Sequence, residues 1–118
     1  MFWIKLGSLL MALAVALGAF GAHGLRSQLT PEAMMTFKTA VLYQFIHALG
    51  ILLIGILSLQ MKTPLLDYSG WCFFAGIILF SGSLYVLAVN PIKLIGIVTP
   101  LGGLLFISGW IILCFIRS

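Results

Sequence analysis

Apolar residues fill the chain in four long runs, and polar residues fall between the runs or at a few single positions inside them. The first run extends from Phe2 to about Leu25, interrupted by Lys5, whose ammonium can snorkel to an interface beside Trp3. At 1.5 Å per residue, roughly 22 helical residues cover a hydrocarbon core of about 30 Å. Lys5, the apolar stretch and the Ala12–Ala14 pattern also fit a secretory signal peptide, but the run continues well beyond a normal signal core and is read as a span. Its far end is crowded with small residues, Gly18, Ala19, Gly21, Ala22 and Gly24, so another backbone is expected to pack there, beside His23.

A short polar connection, Arg26 to Leu29, precedes Thr30-Pro31-Glu32, which reads as a helix start: an N-cap, a proline at the first helical position and an acid in the first turn. Helical periodicity then continues to about Leu59, a length of about 44 Å, too long for the hydrocarbon alone. Residues 31–40 are therefore expected outside it or along the interface as an amphipathic start, with the span itself over about 40–59. At 100° per residue, Glu32, Thr36, Thr39, Tyr43 and His47 fall within an arc of about 80°, with Gln44 about 60° from His47 and Lys38 on the opposite side. This predicts a polar stripe running into the membrane.

Gln60, Lys62, Thr63 and Pro64 mark a turn, and the third span is expected over about 70–89. Within it Ser81 and Tyr85 share a face, whereas Ser83 lies well round the helix. Asn90-Pro91 marks the next turn, and the fourth span, about 92–116, carries Pro100 followed by Gly102 and Gly103, a second site for close packing. Pro100 has no N–H for the Gly96 carbonyl and crowds it, so a kink or break is expected, either lining a site or simply bending a packing helix. The pattern as a whole predicts an all-α membrane protein, one four-transmembrane-helix bundle over residues 1–118.

Composition makes lipid the solvent. Of the 118 residues, 63% are hydrophobic and only 7% charged, far below the quarter or so usual in soluble domains. The net charge of +4 comes from six scattered Lys and Arg, which form no cluster suited to nucleic acid. Counted over full crossings, three basic side chains fall on each side, and the α-amino group tips both termini toward the cytoplasm. Cys72 and Cys114 lie inside apolar runs without a paired spacing and are read as small buried hydrophobes.

Four ordered motifs carry a family resemblance: Gly18-Ala-Phe-Gly-Ala-His-Gly-Leu25; Phe37-x-Thr-Ala-x-x-Tyr-Gln-x-x-His47-Ala-Leu; Leu79-Phe-Ser-Gly-Ser-Leu-Tyr85; and Thr99-Pro-x-Gly-Gly103 followed by Gly109-Trp110. Over nearly the whole chain the sequence resembles the domain of unknown function 423 family, the YgdD/YwdK-type small membrane proteins related to eukaryotic transmembrane protein 256. The resemblance implies a four-helix integral protein of the bacterial plasma membrane and supplies no catalytic residues to transfer.

The candidate site is accordingly read from chemistry. His23 and His47, the only imidazoles, are open to three roles: a proton-relay pair, ligands to a metal or haem, or structural hydrogen-bonding with His23 at a helix end. A closed metal site needs more ligands than the spacing offers, so no metal or cofactor is expected. Glu32 and Asp67 both fall in expected connections, and no hydrolase or metalloprotease motif is present, so no enzyme is expected either. Two readings remain. In the first, a structural or accessory protein, the stripe meets Ser81, Tyr85 and Thr99 in a polar network. In the second, an oligomeric transporter or channel, the stripe lines a wet path gated at Pro100.

Overall fold

A computed structural model describes residues 1–117. Its elements are α1 (Phe2–His23), α2 (Pro31–Ser58), α3 (Pro64–Gly76), a π-helical turn (Ile77–Ser81), α4 (Gly82–Val89) and α5 (Ile95–Cys114). The segment from Pro64 to Val89 is helical throughout, so four helices are long and apolar enough to cross a membrane. Two starts follow the expected chemistry: Thr30 Oγ1 accepts from the Ala33 amide at 3.1 Å before α2, and Thr63 Oγ1 accepts from the Leu65 amide before α3. Each is followed by a proline at the head of the helix.

The helices form a slab rather than a ring, with principal extents of 49 × 27 × 17 Å. α1 lies along α2, and the third span lies between α2 and α5. One buried cluster joins Trp3, Leu10, Ile51, Ile54, Leu66, Phe73 and Phe106, and a smaller one at the other end joins Leu25, Phe37, Val41 and Ala88. Phe37 thus ties the first turns of α2 into the bundle, and α2 runs unbroken from those turns into the span.

The expected packing glycines divide into two groups. A methyl group at Gly21 would strike the Phe37 ring, and one at Gly102 would strike the Phe80 backbone, so both are close-approach points. Gly18 and Gly103 make only ordinary contacts, Ala22 is exposed, and Gly24 caps the end of α1 rather than meeting another helix. The glycines at which α1 and α2 bring backbone against backbone lie at the opposite end from the Gly18–Leu25 stretch. A methyl at Gly7 would stand 2.8 Å from the Leu52 nitrogen, and one at Gly55 would stand 2.7 Å from the Ile4 nitrogen. Neither position belongs to a motif that periodicity singles out.

Pro100 sits in the second turn of α5, which stays helical from Ile95 through Cys114, so the proline does not break the span. Near a helix start only one backbone bond is forfeited, and the fold absorbs it. Cys72 is half-buried as a small hydrophobe would be, whereas Cys114 is exposed on the surface of an apolar helix, contrary to its expected burial. In a bilayer, outward apolar positions need no core.

Candidate functional site

The polar residues of the spans collect where α2, the third span and α5 meet. Gln44, 3% exposed, projects from the middle of α2. Its Nε2 donates to the Leu10 carbonyl of α1 at 2.9 Å, and its Oε1 accepts from the Tyr85 hydroxyl of α4. One amide side chain therefore bridges three spans. Tyr85 is held against the Phe37 ring, 5.2 Å between centroids, which fixes the hydroxyl toward Gln44.

His47, 4% exposed, lies one turn further along the same helix. Its Nδ1 is 2.8 Å from the Tyr43 carbonyl, and the Trp110 indole N–H donates to its Nε2 at 3.0 Å. A carbonyl can only accept and an indole N–H can only donate, so both bonds are satisfied together by one species, the neutral imidazole carrying its proton on Nδ1. The ring lies flat on Phe106, with centroids 3.5 Å apart and planes 8° apart, and meets Phe73 edge-on at 5.4 Å. Phe73 in turn sits over Gly50 and Gly109, where any Cβ would overlap it.

The third span is shaped by its π turn. The Gly82 amide donates to the Ile77 carbonyl, five residues back, which inserts an extra residue into the turn before α4. Ser81, fully buried, donates to the Ala40 carbonyl of α2 at 2.8 Å. Ser83 donates to the Phe80 carbonyl and pairs with the Thr99 hydroxyl of α5. At the other end of α5, Ser69 donates to the Gly109 carbonyl at 2.8 Å.

The structure thus brings together Gln44 with Tyr85, and His47 with the Tyr43 carbonyl, while Ser81 and Thr99 each find a different partner from the stripe. Thr36 and Thr39, the upper stripe, return to carbonyls of their own helix at Glu32 and Met35. His23 stands apart: it is exposed at the end of α1, near the start of α2, whereas His47 is roughly 24 Å along α2 from Pro31. The two imidazoles form no pair. Among the described residues, no three His, Cys, Asp or Glu side chains gather where a metal could be held.

Sequence periodicity also passes over Trp110, Ser69 and Ser83 as partners, because the angle of a side chain on its own helix does not say what a neighbouring helix presents. Asp67, assigned to a connection, lies in the first turn of α3 and accepts from the Trp3 indole at 2.8 Å.

The Tyr43 side chain, 36% exposed, faces outward beside His47. It lines a groove of about 450 Å³ between α2 and α5, walled by Phe80, Phe106, Ile107 and Trp110.

These features define an integral membrane helical bundle with a satisfied polar centre. The profile of the family described as "Protein of unknown function (DUF423)" matches residues 17–103, and the chain belongs to that family. It is similar to the UPF0382 membrane protein SH2409 of Staphylococcus haemolyticus, with 45% identity over 94% of this chain and 90% of the relative. The UPF0382 membrane protein SSP2132 of Staphylococcus saprophyticus is 47% identical over 94% of this chain and 92% of its own length. The UPF0382 membrane protein YwdK of Bacillus subtilis is 44% identical over 94% of this chain and 91% of its own. No solved structure matches the chain.

Proposed function

We propose that this is a non-enzymatic accessory protein of the bacterial plasma membrane, acting through the surfaces it presents within the bilayer rather than by passing a solute through its interior. One observation carries the reading: both hydrogen-bonding ends of Gln44 and both ring nitrogens of His47 are occupied by partners in the same protomer. A side chain that hands an ion or proton across a membrane needs a free lone pair or N–H facing the path. Here those groups are spent inside the bundle, three of the four on bonds between helices and one, His47 Nδ1, on the Tyr43 carbonyl of its own helix. Membrane interhelical bonds of this kind average below about 1 kcal/mol each, but they fix the register of helices that lipid alone would let slide.

The groove beside Tyr43 favours the second reading, an oligomeric transporter in which a partner copy closes the groove into a path. Purified protein in proteoliposomes separates the two. Fluxes of protons, potassium and small neutral solutes equal to those of protein-free vesicles are expected. A saturable flux abolished by Tyr43→Phe would overturn the accessory reading and establish the path.

A further inference from the structure

At the end of the bundle where α1 and α3 begin and α2 stops, a cleft of about 610 Å³ opens between Trp3, Ser58, Lys62, Thr63, Asp67 and Trp71. Its walls carry the Asp67 carboxylate, the Lys62 ammonium and, at Met1, the α-amino group, and the lysine and the acid are not spent on each other. Asp67 is held by the Trp3 indole on Oδ1, leaving Oδ2 free. The Lys62 ammonium donates to the Ser58 carbonyl at 3.3 Å, leaving N–H groups free. The Thr63 hydroxyl oxygen accepts from the Leu65 amide, so its proton is available to a further acceptor. Three rings, Phe2, Trp3 and Trp71, pack at 4.9–5.7 Å, Trp3 edge to face with both others and Phe2 tilted against Trp71, and put an apolar flank beside the charges. Trp71 is half exposed on that flank.

The position is the boundary between hydrocarbon and headgroups, because three spans end there. We propose that this cleft is a binding site for a zwitterionic phospholipid headgroup with a primary ammonium, a phosphatidylethanolamine-type lipid. Lys62 and the Thr63 hydroxyl take the phosphate, Asp67 Oδ2 takes the ammonium, and the acyl chains run down past Trp71. A primary ammonium is selected over a quaternary one because only the former donates hydrogen bonds to a carboxylate. An anionic headgroup without the ammonium meets Asp67 as a like charge. The cleft at the opposite end, beside Arg26 and Lys38, carries positive charge without an acid and has no such selectivity.

Native mass spectrometry of the protein released from detergent with equimolar phosphatidylethanolamine, phosphatidylglycerol and phosphatidylcholine tests the site. The wild type is expected to retain phosphatidylethanolamine about three- to fivefold over the other two, the scale of one interfacial charge contact. Asp67→Asn keeps an acceptor for Trp3 but loses the charge, and should erase the preference over phosphatidylglycerol. Lys62→Gln removes the phosphate partner that all three headgroups share and should lower the retention of each at this site, and Lys38→Gln should leave the preference unchanged. Melting curves matching the wild type confirm that the variants are folded; if Asp67→Asn is not, Lys62→Gln, on an exposed connection, decides. Equal retention of the three lipids by the wild type, a preference unmoved by Asp67→Asn, or retention unmoved by Lys62→Gln overturns the proposal. So does competition by glycerophosphoethanolamine as strong as that of the intact lipid, which would make this a site for soluble zwitterions.

Discussion

Gln44 and His47 are costly residues to place inside a membrane, and each is held with a hydrogen-bond partner at both of its polar ends. Tyr85→Phe removes a single hydrogen bond to Gln44 and should cost about 1 kcal/mol in detergent unfolding. Gln44→Leu also strands the Tyr85 hydroxyl and takes from the Leu10 carbonyl the second donor it has beyond its own helix, and should cost about 1–3 kcal/mol. His47→Ala removes a buried ring stacked on Phe106 as well as two bonds, so a loss of about 2–4 kcal/mol is expected. His47→Phe keeps the stack and should recover part of that loss. Equal midpoints for His47→Ala and wild type would show that the imidazole does not hold the helices. Much of this centre is legible in the sequence: Tyr43, Gln44 and His47 come from angular arithmetic, and Ser81 with Tyr85 from a shared face. Trp110 is not, because a tryptophan in an apolar helix has the same pattern whether it anchors at an interface or donates to a buried ring. His23 misleads for the converse reason, since a polar residue at the end of an apolar run can simply face out.

At the level of elements, four apolar runs announce four helices because backbone groups in hydrocarbon must bond within their own segment. Which glycines bring helices together is less legible. A glycine cluster such as Gly18 to Gly24 looks like a packing face, but isolated Gly7 and Gly55 meet opposing backbone, and nothing about one helix alone marks them. Gly7→Ala should therefore destabilise by about 1–3 kcal/mol, since the obstructing atoms are the Leu52 backbone rather than a movable side chain. Gly96→Ala, with nothing within 4 Å of the added methyl, should be neutral or slightly stabilising. Comparing the two melting temperatures in one detergent checks both. The π turn at Ile77–Ser81 is likewise invisible to a 3.6-residue pattern. Beside it Ser81 and Ser83, about 200° apart at 100° per residue, reach α2 and α5 on opposite sides of the third span.

For the whole molecule, the slab shape follows from the solvent. With lipid as apolar as leucine, the bundle has no drive to hide its large side chains, and Leu13, Leu53, Ile97 and Ile107 stay outward at 43–65% exposure. What remains to hold four helices in place is close packing, ring stacking and a few hydrogen bonds, and Gln44 and His47 between them reach all three of the other spans. The direct test is nitrogen-detected solid-state NMR of the protein in bilayers, following the His47 ring after transfer to deuterated buffer. A dry, closed centre should show a neutral ring protonated on Nδ1, an unprotonated Nε2 accepting from Trp110, and a proton that persists for hours. A protonated Nε2, or a ring proton lost as fast as that of a water-exposed histidine, would contradict it and place His47 on a wet path.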